Sequence, residues 1–245
     1  MKLSRLQQEW DTLGREDSMT AIFSPPKFQK GAWASKEEEF WAEGVTEVDR
    51  VLARAAALAP KMRRDVALDF GCGIGRLTRP LALQFGEAVG VDIAQSMIEK
   101  AKATLPADVN CRFVVNARPD LSMFDNDSFD FVYSRIVLQH IPPDISGQYV
   151  AEFIRVVRPG GLALFQVPSH VTSIRSGIKR FVPHIVHAIS KEMRARFSTG
   201  GKIRAYAIPR PVVEKTVAEA GGTLLAVDQD DSQPGYASFM YAATK

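Results

Sequence analysis

Short apolar runs alternate with helical patterns through the middle of the chain. Five of these runs are predicted strands: VALDF (66–70), AVGVD (88–92), CRFVV (111–115), FDFVYS (129–134) and GLALFQV (161–167). Strands that are apolar on both faces and separated by helices are typical of a parallel sheet that helices cover on both sides. The pattern therefore predicts a doubly wound α/β fold.

Helical periodicity fills the connections between these strands. Helices are predicted from the end of the first strand to about Phe85, and over residues 94–104, 143–157 and 211–220. The last two apolar runs, 223–229 and 236–244, are joined by the turn-rich DDSQPG, which leaves no room for a crossover helix. These runs are predicted to form an antiparallel hairpin, which completes a mostly parallel sheet of seven strands.

Residues 1–60 form a predicted helical extension ahead of this sheet. Ser35 and Glu38 have the spacing of a capping box, and a helical stripe of apolar residues follows: Phe40, Trp41, Val45, Val48, Val51, Leu52 and Ala55. The aromatic residues upstream, Trp10, Phe23, Phe28 and Trp33, are not regularly spaced. We expect this upstream part to be a lid over a ligand site; simple packing of a helical extension is the alternative.

A basic insertion lies between the fifth strand and the last helix, over residues 168–206. It contains eight Lys or Arg and one acid, Glu192, so it carries +7 while the rest of the chain carries −4. Within 174–191 apolar residues occupy one helical face and basic residues the other. Such a helix caps an active site or lies weakly on an anionic membrane surface. We favour the cap, because enzymes place long functional loops in such connections.

Composition predicts one catalytic domain, residues 61–245, attached to the extension. The chain has 245 residues, of which 46% are hydrophobic, enough for one substantial core. Its two cysteines, Cys72 and Cys111, are too few for a disulfide scaffold and favour a reducing compartment. No apolar run is long enough to span a bilayer and the N-terminus lacks a signal-peptide pattern, so we expect a soluble, cytoplasmic protein.

The first strand leads into a glycine loop with the pattern D-x-G-x-G-x-G. The next residue after Gly75 is Arg76, so the third glycine of a dinucleotide fingerprint is absent and a nicotinamide oxidoreductase is disfavoured. Asp69 at the start of the loop would oppose a pyrophosphate but suits an ammonium group. Asp92 ends the second strand, where a carboxylate can bind both hydroxyls of a ribose. A ligand with an amino-acid end and an adenosine end fits both acids.

Four segments in order resemble the class I S-adenosylmethionine-dependent methyltransferases, in particular the methyltransferase type 11 group: VALDFGCGIGRLT, GVDIAQSMIEKA, DNDSFDFVYSRIVLQHI and VVRPGG. The resemblance implies a Rossmann-like fold and S-adenosylmethionine as the cofactor, with S-adenosylhomocysteine as product. It implies these cofactor-binding residues: Asp69, Gly71, Cys72, Gly73, Gly75, Arg76, Asp92, Ile93, Met97, Asn116, Ala117, Ser134 and Arg135. The chain departs from the family at Asn116, where the usual residue is acidic.

The resemblance also places His140, just past the fourth strand, near the methyl group that is transferred. His140 is a candidate base for a hydroxyl acceptor, and a packing role in its loop is the equal alternative. Candidate substrate contacts are Trp10, Trp33, Gln139, His140 and His170. Cys72 is expected to fill space in the glycine loop rather than act as a nucleophile.

We therefore expect a methyltransferase that acts on a small organic acceptor, with transfer to oxygen favoured over nitrogen or carbon. The alternative is a protein that binds S-adenosylmethionine without methylating, as a sensor or a natural-product cyclase. Nucleic acid is not an expected partner, because the basic residues lack interleaved aromatics. No metal site is expected, since the histidines lack other ligands at metal spacing. The sequence specifies no oligomeric state.

Overall fold

The computed structural model describes residues 3–22, 36–172, 205–231 and 235–245. Its helices are α1 (Leu3–Ile22), α2 (Glu37–Leu58), α3 (Thr78–Ala82), α4 (Gln95–Ala103), α5 (Pro143–Val156) and α6 (Arg210–Glu219). Its strands are β1 (Val66–Phe70), β2 (Glu87–Asp92), β3 (Cys111–Val115), β4 (Phe129–Ser134), β5 (Val157–Val171), β6 (Thr223–Asp230) and β7 (Tyr236–Thr244). All seven predicted strands are present.

The strands form one seven-stranded sheet in the order β3-β2-β1-β4-β5-β7-β6. β1 pairs parallel with β2, and β2 pairs parallel with β3. β7 runs antiparallel to both of its neighbours, β5 and β6. The predicted Rossmann-like fold with a C-terminal antiparallel hairpin is confirmed.

Two compact units make up the chain. The first comprises Met1–Arg118 and Phe129–Phe131, and the second comprises Pro119–Ser128 and Val132–Lys245. In the first unit, β1 and β2 are buried along most of their length, as continuous apolar runs require in a parallel sheet. Within the same unit, Asp130 of β4 holds the start of β1. One of its carboxylate oxygens accepts the backbone N–H groups of Asp65 and Val66 at 2.8 and 2.9 Å.

In the first unit α1 is docked on α4 through polar contacts. Asp11 accepts the backbone N–H of Ser96 through its carboxylate and the Ser96 hydroxyl through its carbonyl, both at 2.9 Å. Lys100 Nζ donates to the carbonyl of Gly14 at 2.6 Å. A Cβ at Gly14 would lie 2.4 Å from Ser96 Oγ, so a larger residue there would displace the Ser96 hydroxyl from its hydrogen bond to Asp11.

The second unit is built on the hairpin β6–β7 and on β5, with α5 and α6 beside them. Arg155 near the end of α5 fastens the loop that precedes β4, since it donates to the carbonyl oxygens of Leu121 and Phe124, each at 3.0 Å. Glu152 accepts the backbone N–H of Leu121 at 2.7 Å and pairs with Arg155. The Arg155 hydrogen bond lowers the pKa of Glu152 below its ordinary value.

The segment around Trp10 is helix α1, within the predicted helical extension, with a break only at Asp17, where φ is −158° and ψ is 78°. Several other predicted boundaries and contacts are wrong. Val45 is 45% exposed although it belongs to the predicted apolar stripe of α2. β5 continues to Val171, so the first residues of the predicted cap are strand. α3 ends at Ala82, before Phe85. Ser35 and residues 174–191 lie outside the described residues.

Candidate functional site

The glycine loop follows β1 in a conformation that only glycine adopts readily. Gly71, Gly73 and Gly75 have φ values of 79°, 55° and 88°, which are in the left-handed region. The backbone N–H groups of Gly71 and Cys72 donate to the carbonyl of Val91 at 2.7 and 3.0 Å. The alternating glycines therefore fold the loop back over the end of β2.

Asp92 joins the end of β2 to this loop. One carboxylate oxygen accepts the N–H of Gly73 at 2.9 Å and the other accepts the N–H of Ala94 at 2.8 Å. Burial raises the pKa of Asp92, and the backbone hydrogen bonds oppose that rise. Two of the residues predicted to hold the cofactor, Gly73 and Asp92, are thus in direct contact.

Asp69 is buried at the end of β1, with 3% of its surface exposed. Its carboxylate accepts the hydroxyl of Thr78, the first residue of α3, at 2.6 Å. Desolvation by burial raises the pKa of Asp69 to about 7, against the smaller opposing effects of the Thr78 hydrogen bond and the charge of Arg76. A buried carboxyl of this kind is where a cationic group would be stabilised most.

Arg76, the residue after the last loop glycine, is buried and forms an ion pair with Glu47 of α2. Arg76 Nη2 lies 2.9 Å from Glu47 Oε2. The guanidinium also lies 5.9 Å from the ring centre of Phe40. The structure thus places this predicted cofactor residue against α2, a pairing that the sequence analysis did not anticipate.

Met97 and Cys72 face the apolar interior. Met97 packs with Phe40, Ile74 and Ala94 in a buried cluster that Trp10 covers. Cys72 belongs to a second cluster, and burial raises the pKa of its thiol well above the ordinary value. The free thiol thus fills space, as expected, and burial disfavours the thiolate that a nucleophile requires.

At the adenine end of the predicted site, Ile93 is partly buried, Asn116 is buried and Ala117 is exposed. The backbone N–H of Asn116 donates to the carbonyl of Asp92 at 2.8 Å. Its side-chain oxygen accepts the N–H of Arg118 at 3.0 Å. Asn116 therefore holds the turn after β3 next to the end of β2. The family's usual residue at position 116 is acidic.

The C-terminal end of α1 lies on the glycine loop. A Cβ at Gly73 would come within 2.5 Å of Ile22 Cδ1, so the Ile22 side chain lies directly against this glycine. Trp10, Met19 and Ile22 cover the same buried cluster. A helical extension was predicted over residues 1–60 without bounds for α1, which the helical spacing of Leu6, Trp10 and Leu13 could have indicated.

The second unit carries the predicted residues after β4. Ser134 is fully buried, and its hydroxyl has no hydrogen-bond partner among the described residues. Arg135 Nε lies 3.6 Å from Asp230 Oδ2. Ile136 has a φ of 60°, an uncommon conformation for a β-branched residue, and its N–H donates to Gln166 Oε1 at 3.0 Å. Buried polar groups therefore fix this turn.

His140 ends a short 3-10 helix, Leu138–His140, and is 7% exposed. Its Nε2 lies 3.1 Å from the Gln139 side-chain nitrogen. The carbonyl of Gln139 accepts the N–H of Tyr206 at 2.6 Å. Of the other candidate substrate residues, His170 is exposed on β5 and Trp33 lies outside the described residues.

Within the described ranges, no group of three or more His, Cys, Asp or Glu is placed to hold a metal ion. None of the helices that the structure describes is long and apolar enough to cross a membrane.

Residues 67–161, which contain the glycine loop, Asp92 and His140, match the protein-family profile described as "Methyltransferase domain". This segment is similar to a class I methyltransferase domain. The predicted resemblance to this class is thereby confirmed, and the matched segment contains the hydrogen bond between Gly73 and Asp92.

Curated relatives share this methyltransferase domain. The chain is 38% identical over 96 residues to the 2-methyl-6-phytyl-1,4-hydroquinone methyltransferase of Synechocystis, covering 39% of this chain and 29% of the relative. It is 36% identical over 117 residues to the trans-aconitate 2-methyltransferase of Deinococcus radiodurans, covering 46% and 42%. The chain thus spans less than half the length of these two relatives.

Solved structures resemble the whole chain. The magnesium protoporphyrin IX methyltransferase of Synechocystis, crystallised with bound S-adenosylhomocysteine, has a TM-score of 0.64 at 17% identity. The alignment covers 99% of this chain and 99% of that one. An S-adenosylmethionine-dependent methyltransferase of Leishmania major has a TM-score of 0.65 at 15% identity, covering 99% of this chain and 82% of its own. At these identities the likeness shows a shared fold.

Proposed function

We propose that the protein transfers a methyl group from S-adenosylmethionine to a small organic acceptor, with oxygen as the favoured atom. The observation that carries the proposal is the hydrogen bond from the Gly73 N–H to the Asp92 carboxylate, inside the segment that matches the methyltransferase domain. The names of the relatives support the acceptor class: a hydroquinone, an aconitate and a porphyrin are all small organic molecules.

The residues of the first unit fit this cofactor. When bound, the cofactor supplies a methyl group on a positively charged sulfur. Asp69 and Asp92 are carboxyls with a raised pKa, and a bound cation offsets the cost of burying such groups. We assign the amino-acid end of the cofactor to the glycine loop and Asp69, and the ribose to Asp92. Asn116 and Ile93 would bound the adenine.

The proposed role of His140 is to take the proton of an acceptor hydroxyl; the oxygen–methyl bond would form as the sulfur–methyl bond breaks, and S-adenosylhomocysteine would leave with that electron pair. Its burial keeps water away, and Gln139 restrains the ring. Because methyl transfer needs little beyond an in-line approach, positioning supplies most of the rate enhancement. A base at His140 would add a factor of about 10² to 10⁴.

The proposed place of action is the cytoplasm, since both cysteines are free thiols, as in a reducing compartment.

The test is to incubate the full chain with methyl-labelled S-adenosylmethionine and an extract of its source, and to count label in separate organic, aqueous, protein and nucleic-acid fractions. Label in the organic or aqueous small-molecule fraction, with equimolar S-adenosylhomocysteine, supports the proposal. Label in a polymer contradicts the acceptor class. Cofactor binding with no label anywhere favours the non-methylating alternative. The control is Asp92→Ala, which we expect to bind the cofactor weakly and therefore to transfer little label.

A further inference from the structure

A buried ion pair connects helix α2 to the glycine loop. Arg76 Nη2 and Glu47 Oε2 are 2.9 Å apart, and the two side chains are only 6% and 8% exposed. The backbones approach closely beside the pair, because a Cβ at Gly44 would lie 2.4 Å from the carbonyl oxygen of Arg76. α2 is therefore fastened to the end of the loop by a charge pair and by a contact that only glycine permits.

The same charges act on Asp69. The Asp69 carboxyl accepts the Thr78 hydroxyl, and it interacts electrostatically with these charged and titratable groups: Arg76, Glu47, Asp92, Cys72 and Cys111. Arg76 lowers the pKa of Asp69 and Glu47 raises it, and the effect of Arg76 is the larger of the two. Because the pKa of Asp69 is about 7, either charge changes the ionised fraction of Asp69 near neutral pH.

We propose that Glu47 and Arg76 are positioning residues for the cofactor: through their buried ion pair, α2 holds the glycine loop in place and sets the charge of Asp69. The positioning role rests on the proposed function, in which Asp69 faces the cationic end of S-adenosylmethionine, whereas the effect of the pair on the charge of Asp69 does not. Neither residue needs to touch the cofactor for this role.

Opposite signs distinguish this role from a merely structural one. Removing the charge of Glu47 shifts the Asp69 titration to lower pH, and removing the charge of Arg76 shifts it to higher pH. A pair that only stabilises the fold would make both substitutions alike, because each leaves one buried charge unpaired.

The first measurement uses the cofactor-free protein. The side-chain carboxyl ¹³C shift of Asp69, assigned by comparison with Asp69→Asn, is followed from pH 5 to pH 9 in the wild type, Glu47→Gln and Arg76→Met. We expect the midpoint to fall in Glu47→Gln and to rise in Arg76→Met. Glu87→Gln is the matched control, since it breaks the pair that Glu87 makes with Arg112 near the surface. The Asp69 midpoint should not move in this variant.

The second measurement is the calorimetric affinity for S-adenosylhomocysteine over the same pH range. At pH 8.5, where Asp69 is ionised in the wild type, we expect both single variants to bind about tenfold more weakly because the loop has lost its attachment to α2. Their pH midpoints of binding should still move in opposite directions. Equal affinities in wild type and variants, or midpoints that move together, would overturn the inference.

A double variant, Glu47→Met with Arg76→Met, covers the case in which a single variant does not fold. Apolar side chains of similar volume often replace a buried ion pair without loss of stability. We expect its Asp69 midpoint to rise, because the effect of Arg76 is the larger, and its affinity to stay reduced. A folded double variant with wild-type midpoint and affinity refutes the role. If the wild type binds neither the cofactor nor its product, the proposed function fails, whereas the carboxyl titration still decides the charge coupling.

Discussion

The substitution Asp69→Asn should make the ligand-free protein more stable above neutral pH. Asn keeps the shape of the side chain and can still accept the Thr78 hydroxyl, which is 2.6 Å from the carboxylate. It removes the negative charge that burial disfavours. The pKa of Asp69 is raised from 3.8 to about 7, so the folded chain holds this proton over a range where the unfolded chain has lost it. Stability from this group is therefore lost as the pH rises from about 4 to about 7.

The size of the effect follows from that pKa difference. One pKa unit corresponds to about 1.4 kcal/mol, so the cost of ionised Asp69 is at most about 4 kcal/mol at pH 8 and about 1.7 kcal/mol at pH 5. The stability difference between Asp69→Asn and the wild type should thus grow by about 2.5 kcal/mol between these pH values. Urea unfolding followed by tryptophan fluorescence measures it, because Trp10 and Trp41 belong to the unit that contains Asp69.

A matched control is Asp108→Asn, which changes an exposed carboxyl in the same unit. Its stability difference from the wild type is the baseline for the comparison. A difference for Asp69→Asn that follows this baseline, or one that falls as the pH rises, would contradict the inference that burial controls Asp69. The same substitution should weaken cofactor binding above pH 7, because the charge that faces the cofactor is gone.

Three further predictions test other parts of the chain. His140→Ala should lower turnover about 100-fold at saturating cofactor while calorimetric affinity for S-adenosylhomocysteine stays unchanged; unchanged turnover would remove His140 from the mechanism. Asp92→Ala should weaken that affinity at least about tenfold, since it removes the hydrogen bonds to the glycine loop and any contact to the ribose. Arg155→Met should lower the free energy of unfolding by about 2 kcal/mol in a urea titration. Lys215→Met, which breaks an exposed pair with Glu219, should change it by less than about 0.5 kcal/mol.

The sheet and the glycine loop could be predicted because their signals are local. A buried parallel strand is mostly apolar along its length, and β1, β2 and β4 are recognisable in the sequence as short, mainly apolar runs. The loop needs three left-handed residues, and glycines at alternate positions provide them. Asp92 was identified for the same reason, since the end of a strand after such a loop is a fixed place in this topology.

The contacts made by the N-terminal extension could not be predicted in this way. The pairing of Arg76 with Glu47 joins residues 29 positions apart, and neither residue type in its local context signals burial. The docking of α1 was not predicted because polar contacts with α4 make it: Asp11 contacts Ser96, and Lys100 reaches Gly14. The helical spacing of Leu6, Trp10 and Leu13 does not indicate such contacts. Periodicity reports which side of a helix is apolar, and it does not report which other element that side meets.

The two carboxyls of the loop are costly for the free protein, and that cost explains their use. Asp69 is buried and Asp92 is partly buried, and the loss of hydration raises both pKa values. The chain offsets part of this with the Thr78 hydroxyl, the amides of Gly73 and Ala94, and Arg76. A second cation in the loop would have neutralised Asp69 completely but would also have repelled a positively charged ligand. The carboxyls therefore remain partly compensated, and a bound cation gains what the fold alone does not supply.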